Sequence, residues 1–195
     1  MTQLYFVRHA QPDYRTGTNP TFPLSPEGRE DRMRAAAFLK DISFDAAVSS
    51  PYRRSLETIE PIVERQRLSL RTDIRLRERD NPGGGSNSHE MFLRRWADFD
   101  FHEENGENLR STQNRNIEAL QQILREHQNR TVLIGTHGTA LSTIINYFDA
   151  SFGGEQFLRI IDFMPYILRM DFDGTTLCSM EELFYIKKEY HGIKP

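Results

Sequence analysis

Two histidines, several arginines and one glutamate carry the chemistry of this chain, and each follows an apolar run that has just stopped. Leu4-Tyr5-Phe6-Val7 leads into Arg8-His9-Ala10, and Thr131-Val132-Leu133-Ile134-Gly135 leads into Thr136-His137-Gly138. Short apolar runs of this kind read as buried strands. Arg53 and Arg54 open a helical pattern behind a third run, Phe44 to Ser49, and Glu78 stands behind a fourth short segment, Leu68 to Thr72. A lone histidine after a strand is most often a satisfied loop residue. A histidine beside an arginine is different, because a guanidinium holds an oxyanion bidentately and keeps its proton while doing so. Helices that start just after the strands add free amides and partial positive charge. Phosphate is the natural ligand of such a set.

The same residues suggest a reaction. A neutral imidazole attacks phosphorus to form a phosphohistidine. His9 is the candidate nucleophile, because it is the histidine that follows an arginine at a strand end. The arginines and a protonated second imidazole, His137, would stabilise charge on the transferring oxygens. Glu78 is the candidate to protonate the leaving oxygen and then to activate water. No Asp-rich cluster recommends a metal, and the two histidines read as phosphate ligands rather than as half of a zinc site. Neither a metal nor a cofactor is expected.

For these residues to meet, their strands must lie side by side with the carboxyl ends together, where open α/β sheets bind ligands. The pattern of the chain allows it. After the first strand, residues 11–24 form a loop holding Pro12, Gly17, Pro20 and Pro23. Ser25-Pro26-Glu27 announces a helix that runs to about Lys40, with Met33, Ala36, Ala37 and Phe38 expected toward the core. The helix from Arg53 carries Leu56, Ile59, Ile62 and Val63, and Pro61 predicts a kink in it. Further helices are predicted over 89–97, 109–128 and 139–148. A strand is expected between Ile160 and Phe172, and Asp173-Gly174 reads as the turn of a hairpin returning through Met180. This alternation predicts an α/β fold whose central sheet is mostly parallel with an antiparallel edge strand.

The chain reads as a single domain over 1–195. Residues 79–108 read as an excursion from the sheet and a cover over the site. The excursion contains Gly83-Gly84-Gly85, which is not followed by Lys-Ser/Thr as in a P-loop and reads as a mobile surface loop. Hydrophobic residues at 37% and charged residues at 27% describe a soluble globular protein. A net charge of -3 argues against nucleic acid as a partner, and no apolar stretch is long enough to span a bilayer. The first strand begins at once, leaving no room for a signal peptide, and the single Cys178 excludes an internal disulfide. Cytoplasmic residence is the simplest inference.

Taken in order, these segments resemble the signature motifs of the histidine phosphatase superfamily, the phosphoglycerate mutase-like proteins. Arg8-His9-Ala10 resembles its RHG signature, and Leu24-Ser25-Pro26-Glu27-Gly28 its LTxxG segment. The run from Ser49 to Thr58 is similar to SSDLxRAxxT, Leu76-Arg77-Glu78 to L-x-E, Gly106-Glu107-Asn108 to GES, and Thr136-His137-Gly138 to the second histidine motif. The resemblance implies a three-layer α/β/α sandwich. It implies that Arg8, His9, Arg54 and His137 bind phosphate, with Arg53 at a variable position, and that His9, Glu78 and His137 are catalytic. Ala10 in place of glycine, Pro51 in place of an acidic residue and Asn108 in place of serine depart from the pattern, yet none removes a charged catalytic group.

The activity expected from this resemblance is hydrolysis of phosphomonoesters, small molecules first and phosphoproteins as an alternative class. Two other readings stand beside it. One is phosphoryl transfer of the phosphoglycerate mutase type, which Arg94-Arg95 suggests by resembling an arginine pair that mutases use on substrate. A solvated helix face beside Trp96 is the plainer expectation for that pair. The other is binding of a phosphorylated ligand without turnover, against which the complete set of Arg8, His9, Arg54, Glu78 and His137 argues.

Overall fold

The computed structural model describes residues 1–81 and 87–189. The glycine run at 83–85 lies outside the described residues. One sheet of six strands organises the rest, in the order β3-β2-β4-β1-β5-β6. The strands are β1 (Thr2–Arg8), β2 (Ala46–Ser49), β3 (Leu70–Thr72), β4 (Thr131–Thr136), β5 (Phe163–Asp173) and β6 (Thr176–Lys187). β3, β2, β4 and β1 pair in parallel, while β5 runs antiparallel to β1 and β6 antiparallel to β5. The fold is thus α/β with a mostly parallel sheet, as the sequence predicts. Its antiparallel part is a whole hairpin, not a lone edge strand.

Helices cover both faces. α1 (Pro26–Phe38) and α2 (Arg53–Gln66) lie on one, and α4 (Leu109–Glu126), α5 (Gly138–Phe148) and α6 (Gly154–Ile160) on the other. α3 (His89–Ala97) packs on α6. The pleat sorts the core residues by parity. Leu4, Phe6, Val132 and Ile134 join the α4–α5 side, while Tyr5, Val7 and Leu133 join the α1–α2 side. With both faces covered, the middle strands need continuous apolar runs, and this explains why they stood out in the sequence.

Local chemistry sets the helix starts. Ser25 Oγ accepts from Gly28 N at 3.0 Å, with Pro26 at the first helical position. Asn108 caps α4 by accepting from Ser111 N at 2.7 Å, so an amide serves here as well as the serine of the GES-like pattern would. Gly28 has a second reason: a Cβ there would sit 2.1 Å from the Gln11 carbonyl, so the first turn of α1 can press against the loop that follows His9 only as glycine. Pro61 stands inside a continuous α2. A proline frees the carbonyl four residues earlier, that of Glu57, and Arg32 Nη1 donates to it at 2.6 Å.

One expectation needs correction. In α1 the residues turned inward are Ala35 and Ala36, followed by Leu39, whereas Met33, Ala37 and Phe38 are exposed. Phe38 instead stacks on Phe184 of β6 at 5.2 Å between ring centroids. Small residues face the sheet because α1 and α2 pack closely beside one another there. Residues 154–160, for which the sequence suggests no element, are helical, and the strand expected between Ile160 and Phe172 is β5, Phe163–Asp173. No helix among the described residues is long and apolar enough to cross a membrane.

Candidate active site

The ladders place the two histidines together. β1 and β4 are parallel neighbours in a register that sets Arg8 opposite Thr136, so the chain leaves both strands at the same level. The His9 amide donates to the Thr136 carbonyl at 3.1 Å, one step beyond the strand end. The two imidazole rings then meet edge to face with centroids 5.3 Å apart. Both are buried.

Each imidazole has one ring nitrogen held. His9 Nδ1 lies 2.8 Å from the Ala10 carbonyl, an acceptor only, so Nδ1 carries the proton and Nε2 keeps its lone pair. Burial and the charges of Arg54 and Arg8 hold the His9 pKa well below the usual range, so the ring is neutral. Ala10 is itself pinned: its amide donates to Thr58 Oγ1 at 2.9 Å, and that hydroxyl donates to the Arg54 carbonyl at 2.7 Å. One threonine therefore links the nucleophile loop to the helix that carries Arg54.

His137 Nε2 lies 2.7 Å from Ser50 Oγ. That oxygen already accepts from Tyr52 N at 3.2 Å, so its own proton is available for the ring. With Ser50 donating to Nε2, Nδ1 is the nitrogen that carries the ring's proton, and Nδ1 is buried with no protein partner. Burial, then Arg54 and His9, hold the His137 pKa well below its usual range. In this pocket His137 is a neutral donor.

Arg54, not Arg53, turns inward. Arg53 is exposed and pairs with Glu57 one helical turn on, Nε to Oε1 at 2.6 Å, whereas Arg54 is buried. Arg54 Nη2 donates to Asn19 Oδ1 at 3.0 Å and Nη1 to the Asn19 carbonyl, while its Nε is buried without a protein partner. Arg8 is buried as well. Its two terminal nitrogens donate to the Ile160 and Ile161 carbonyls, at 2.7 and 2.8 Å, where α6 ends. Gly138 makes that placement possible, since a Cβ there would approach Arg8 Cζ to 3.0 Å.

Glu78 reaches the same edge from below α5. No side chain of α5 caps its own N-terminus, and the Glu78 carboxylate does so instead, accepting from Thr139 N at 3.0 Å and Ala140 N at 3.1 Å. A third amide, Arg79 N, donates to Oε1 at 2.8 Å. The five residues predicted from sequence thus share one edge of the sheet. Sequence reasoning missed their supports: Ser50, Thr58, Asn19 and two tyrosines. Tyr52 packs on the His137 ring at 5.3 Å, with Arg54 above its own face. Tyr14 exposes about half of its surface, but its hydroxyl end turns inward, where burial pushes its pKa up. Ser50 and Thr58 stand at lettered positions of the SSDLxRAxxT-like run, which was the available signal for them, whereas Asn19, Tyr14 and Tyr52 have no spacing that sets them apart.

The Arg94-Arg95 pair divides. Arg94 is exposed with its guanidinium 4.0 Å above the Phe101 ring, as a solvated face predicts. Arg95 is not on that face. It is buried, and its Nε and Nη2 donate to Glu103 Oε1, because α3 turns this side toward the acidic segment behind it. Among the described residues no cluster of three or more His, Cys, Asp or Glu could hold a metal ion.

Comparison with known proteins agrees with this geometry. The family model of the histidine phosphatase superfamily (branch 1) matches residues 4–161. The chain belongs to that superfamily. The uncharacterized phosphatase PhoE of Bacillus subtilis is 25% identical over 166 residues, covering 83% of this chain and 85% of PhoE. The structure of Bacillus stearothermophilus YhfR superposes with a TM-score of 0.73 at 26% identity, over 91% of this chain and 95% of that one. A phosphoserine phosphatase from Entamoeba histolytica, in complex with 3-phosphoglyceric acid, shares the fold. Its TM-score is 0.73 at 19% identity, over 93% of this chain and 98% of that one.

Proposed function

We propose that this superfamily member hydrolyses phosphomonoesters without a metal, through a phosphohistidine on Nε2 of His9. The observation that carries the reading is the Nδ1 contact to Ala10, which leaves a neutral imidazole with its lone pair on Nε2. Beside it stand two buried N–H groups with no protein partner, Arg54 Nε and His137 Nδ1. Buried donors left unpaired are costly unless a ligand completes them, and a phosphoryl group supplies the acceptors.

The steps follow from these positions. His9 Nε2 attacks phosphorus, the P–O bond to the alcohol breaks, and Glu78 gives its proton to the leaving oxygen. Water then attacks the phosphohistidine, its proton passes to Glu78, and the P–N bond breaks to release phosphate and His9. Arg8, Arg54 and His137 hold the phosphoryl oxygens throughout, and these three N–H-bearing side chains in a low-dielectric pocket supply the stabilisation that a metal gives elsewhere. The helix α3, which packs on α6, is the described part of the cover read for residues 79–108. The substrate is a small phosphorylated molecule met in the cytoplasm. The mutase reading loses its sequence support, since Arg95 is engaged with Glu103 and Arg94 with Phe101.

Rapid acid-free quenching of the enzyme with radiolabelled substrate tests this. An alkali-stable, acid-labile phosphoprotein is expected in the wild type and none in His9→Ala. Label absent from the wild type during turnover, or retained by His9→Ala, would overturn the covalent step. Activity is expected to survive a chelator, and loss with recovery on adding a divalent ion would exclude the metal-free chemistry.

A further inference from the structure

Arg115 belongs to no motif that the sequence singles out, yet it makes the densest set of hydrogen bonds near the site. It rises from the second turn of α4 and is almost fully buried, with 11% of its side chain exposed. Its Nε and Nη2 form a fork on Glu107, to Oε1 at 2.7 Å and Oε2 at 2.8 Å. Nη1 donates to the carbonyls of Arg75 at 2.7 Å and Arg77 at 2.6 Å, and Nη2 donates also to the carbonyl of Glu78 at 3.2 Å. A guanidinium has five N–H donors, and every one is used. Glu107 closes the clamp from the far side. Its Oε2 accepts from Asp80 N at 3.1 Å, and its own amide donates to the Asp80 carbonyl at 2.8 Å.

The clamped segment is irregular. After one turn of 3₁₀ helix, Ile74–Leu76, residues 77–81 belong to no helix or strand. Extended backbone of this kind has no ladder to fix it, and its carbonyls need partners when buried. Arg115 supplies two of them, for Arg77 and Glu78, and reaches back to the carbonyl of Arg75 in the 3₁₀ turn. Glu78 is then gripped at both ends, its carbonyl by Arg115 and its carboxylate by the first-turn amides of α5.

We propose that Arg115, forked on Glu107, is the positioning residue for the Glu78 carboxyl. It touches neither phosphate nor nucleophile, and it acts by fixing the backbone from which the acid projects. The inference rests on the reading of Glu78 as general acid. A general acid works only within hydrogen-bond reach of the leaving oxygen, and a misplacement of about 1 Å costs on the order of a hundredfold in rate. Lysine keeps the charge of Arg115 but not the planar fork or the five donors.

The test compares Arg115→Lys, Glu78→Gln and the double variant on two substrates, an alkyl phosphate such as glycerol phosphate and an aryl phosphate such as p-nitrophenyl phosphate. A phenolate leaves without full protonation, so the aryl substrate reports the pocket without the acid. Arg115→Lys is expected to slow the alkyl ester by roughly thirty- to a hundredfold and the aryl ester by no more than about threefold. Because Arg115 acts through Glu78, the double variant should be no slower on the alkyl ester than Glu78→Gln alone. Equal losses on both esters, or losses that multiply in the double variant, would overturn the clamp. If Glu78→Gln itself slows both esters alike, the general-acid reading fails, and the role of Arg115 fails with it. If Glu78→Gln is selective and Arg115→Lys is not, the clamp alone is wrong. Should Arg115→Lys fold poorly, Glu107→Gln, which keeps the shape and loses half of the fork's attraction, is expected to show the same selectivity at smaller size.

Discussion

The strand-end pocket around the two histidines and the segment that follows β3 are held together in different ways. In the pocket, the strand ladders deliver Arg8, His9 and His137, and the side chains bond mainly to backbone: Arg8 to two carbonyls, Arg54 and His9 to one each. In the segment from Arg77 to Glu107, arginine and glutamate hold each other. Glu103 serves both Arg79 and Arg95, and Glu107 serves both Arg77 and Arg115. The comparison teaches that a site fixed by a sheet can leave its donors unpaired for a ligand, because the ladder already supplies the order. The stretches on either side of α3, 77–81 and 98–108, lie outside helices and strands, and there the charges are spent on holding the backbone in shape.

Substitutions should separate the two regions. The largest effect is expected from His9→Ala, which should lower turnover by at least about 10⁴-fold while leaving the melting temperature close to that of the wild type. A large fall in melting temperature would blur the distinction, since it would make the nucleophile part of the scaffold. Next, Arg54→Ala should cost about 10²- to 10³-fold in kcat, and it should abolish protection by vanadate or phosphate in thermal shift. Retained protection would show that Arg8 and His137 suffice for the anion.

In the segment that follows β3, Glu103→Ala removes the carboxylate shared by two buried arginines. Chemical denaturation should report a loss of about 1–3 kcal/mol, with kcat on an aryl phosphate changed much less than stability. The opposite pattern would place Glu103 with the pocket. The smallest effect concerns pH. The folded-state pKa values of His9 and His137 are depressed, so below about 6.5 the unfolded chain takes up protons that the folded pocket refuses. Stability should therefore fall on acidification from that point, by up to about 1.4 kcal/mol per pH unit for each histidine. No contribution is expected above it. The double variant His9→Phe, His137→Phe should flatten this slope, and an unchanged slope would assign it to other groups.

Legibility in the sequence followed the same division. β1, β2 and β4 were readable because strands covered on both faces must be apolar throughout, and the residues where those runs end are the pocket. Arg54 was separable from Arg53 only through the resemblance, for nothing in two adjacent arginines says which faces in. Arg115 and Arg95 were not legible: a polar residue on an amphipathic helix looks the same whether it meets water or a row of buried carbonyls. On α1 Ala36 faces the core as expected, whereas Met33 and Phe38, expected there on their hydrophobicity, are exposed with Ala37, and Ala35, which the sequence reading does not single out, is buried. α6 escaped notice because seven residues give barely two turns of period to detect.

The hold that the end of α6 keeps on Arg8 bears on how this chain can change over evolution. Surface connections usually absorb insertions and deletions at little cost. The connection from α6 to β5 is not of that kind, since the Ile160 and Ile161 carbonyls in it aim the guanidinium that follows the first strand. A residue added or lost between Gly153 and Phe163 would rotate those carbonyls by about 100° per position along a helix. Variation in length at this junction would surface first as weakened affinity for the anion, in a protein that still folds.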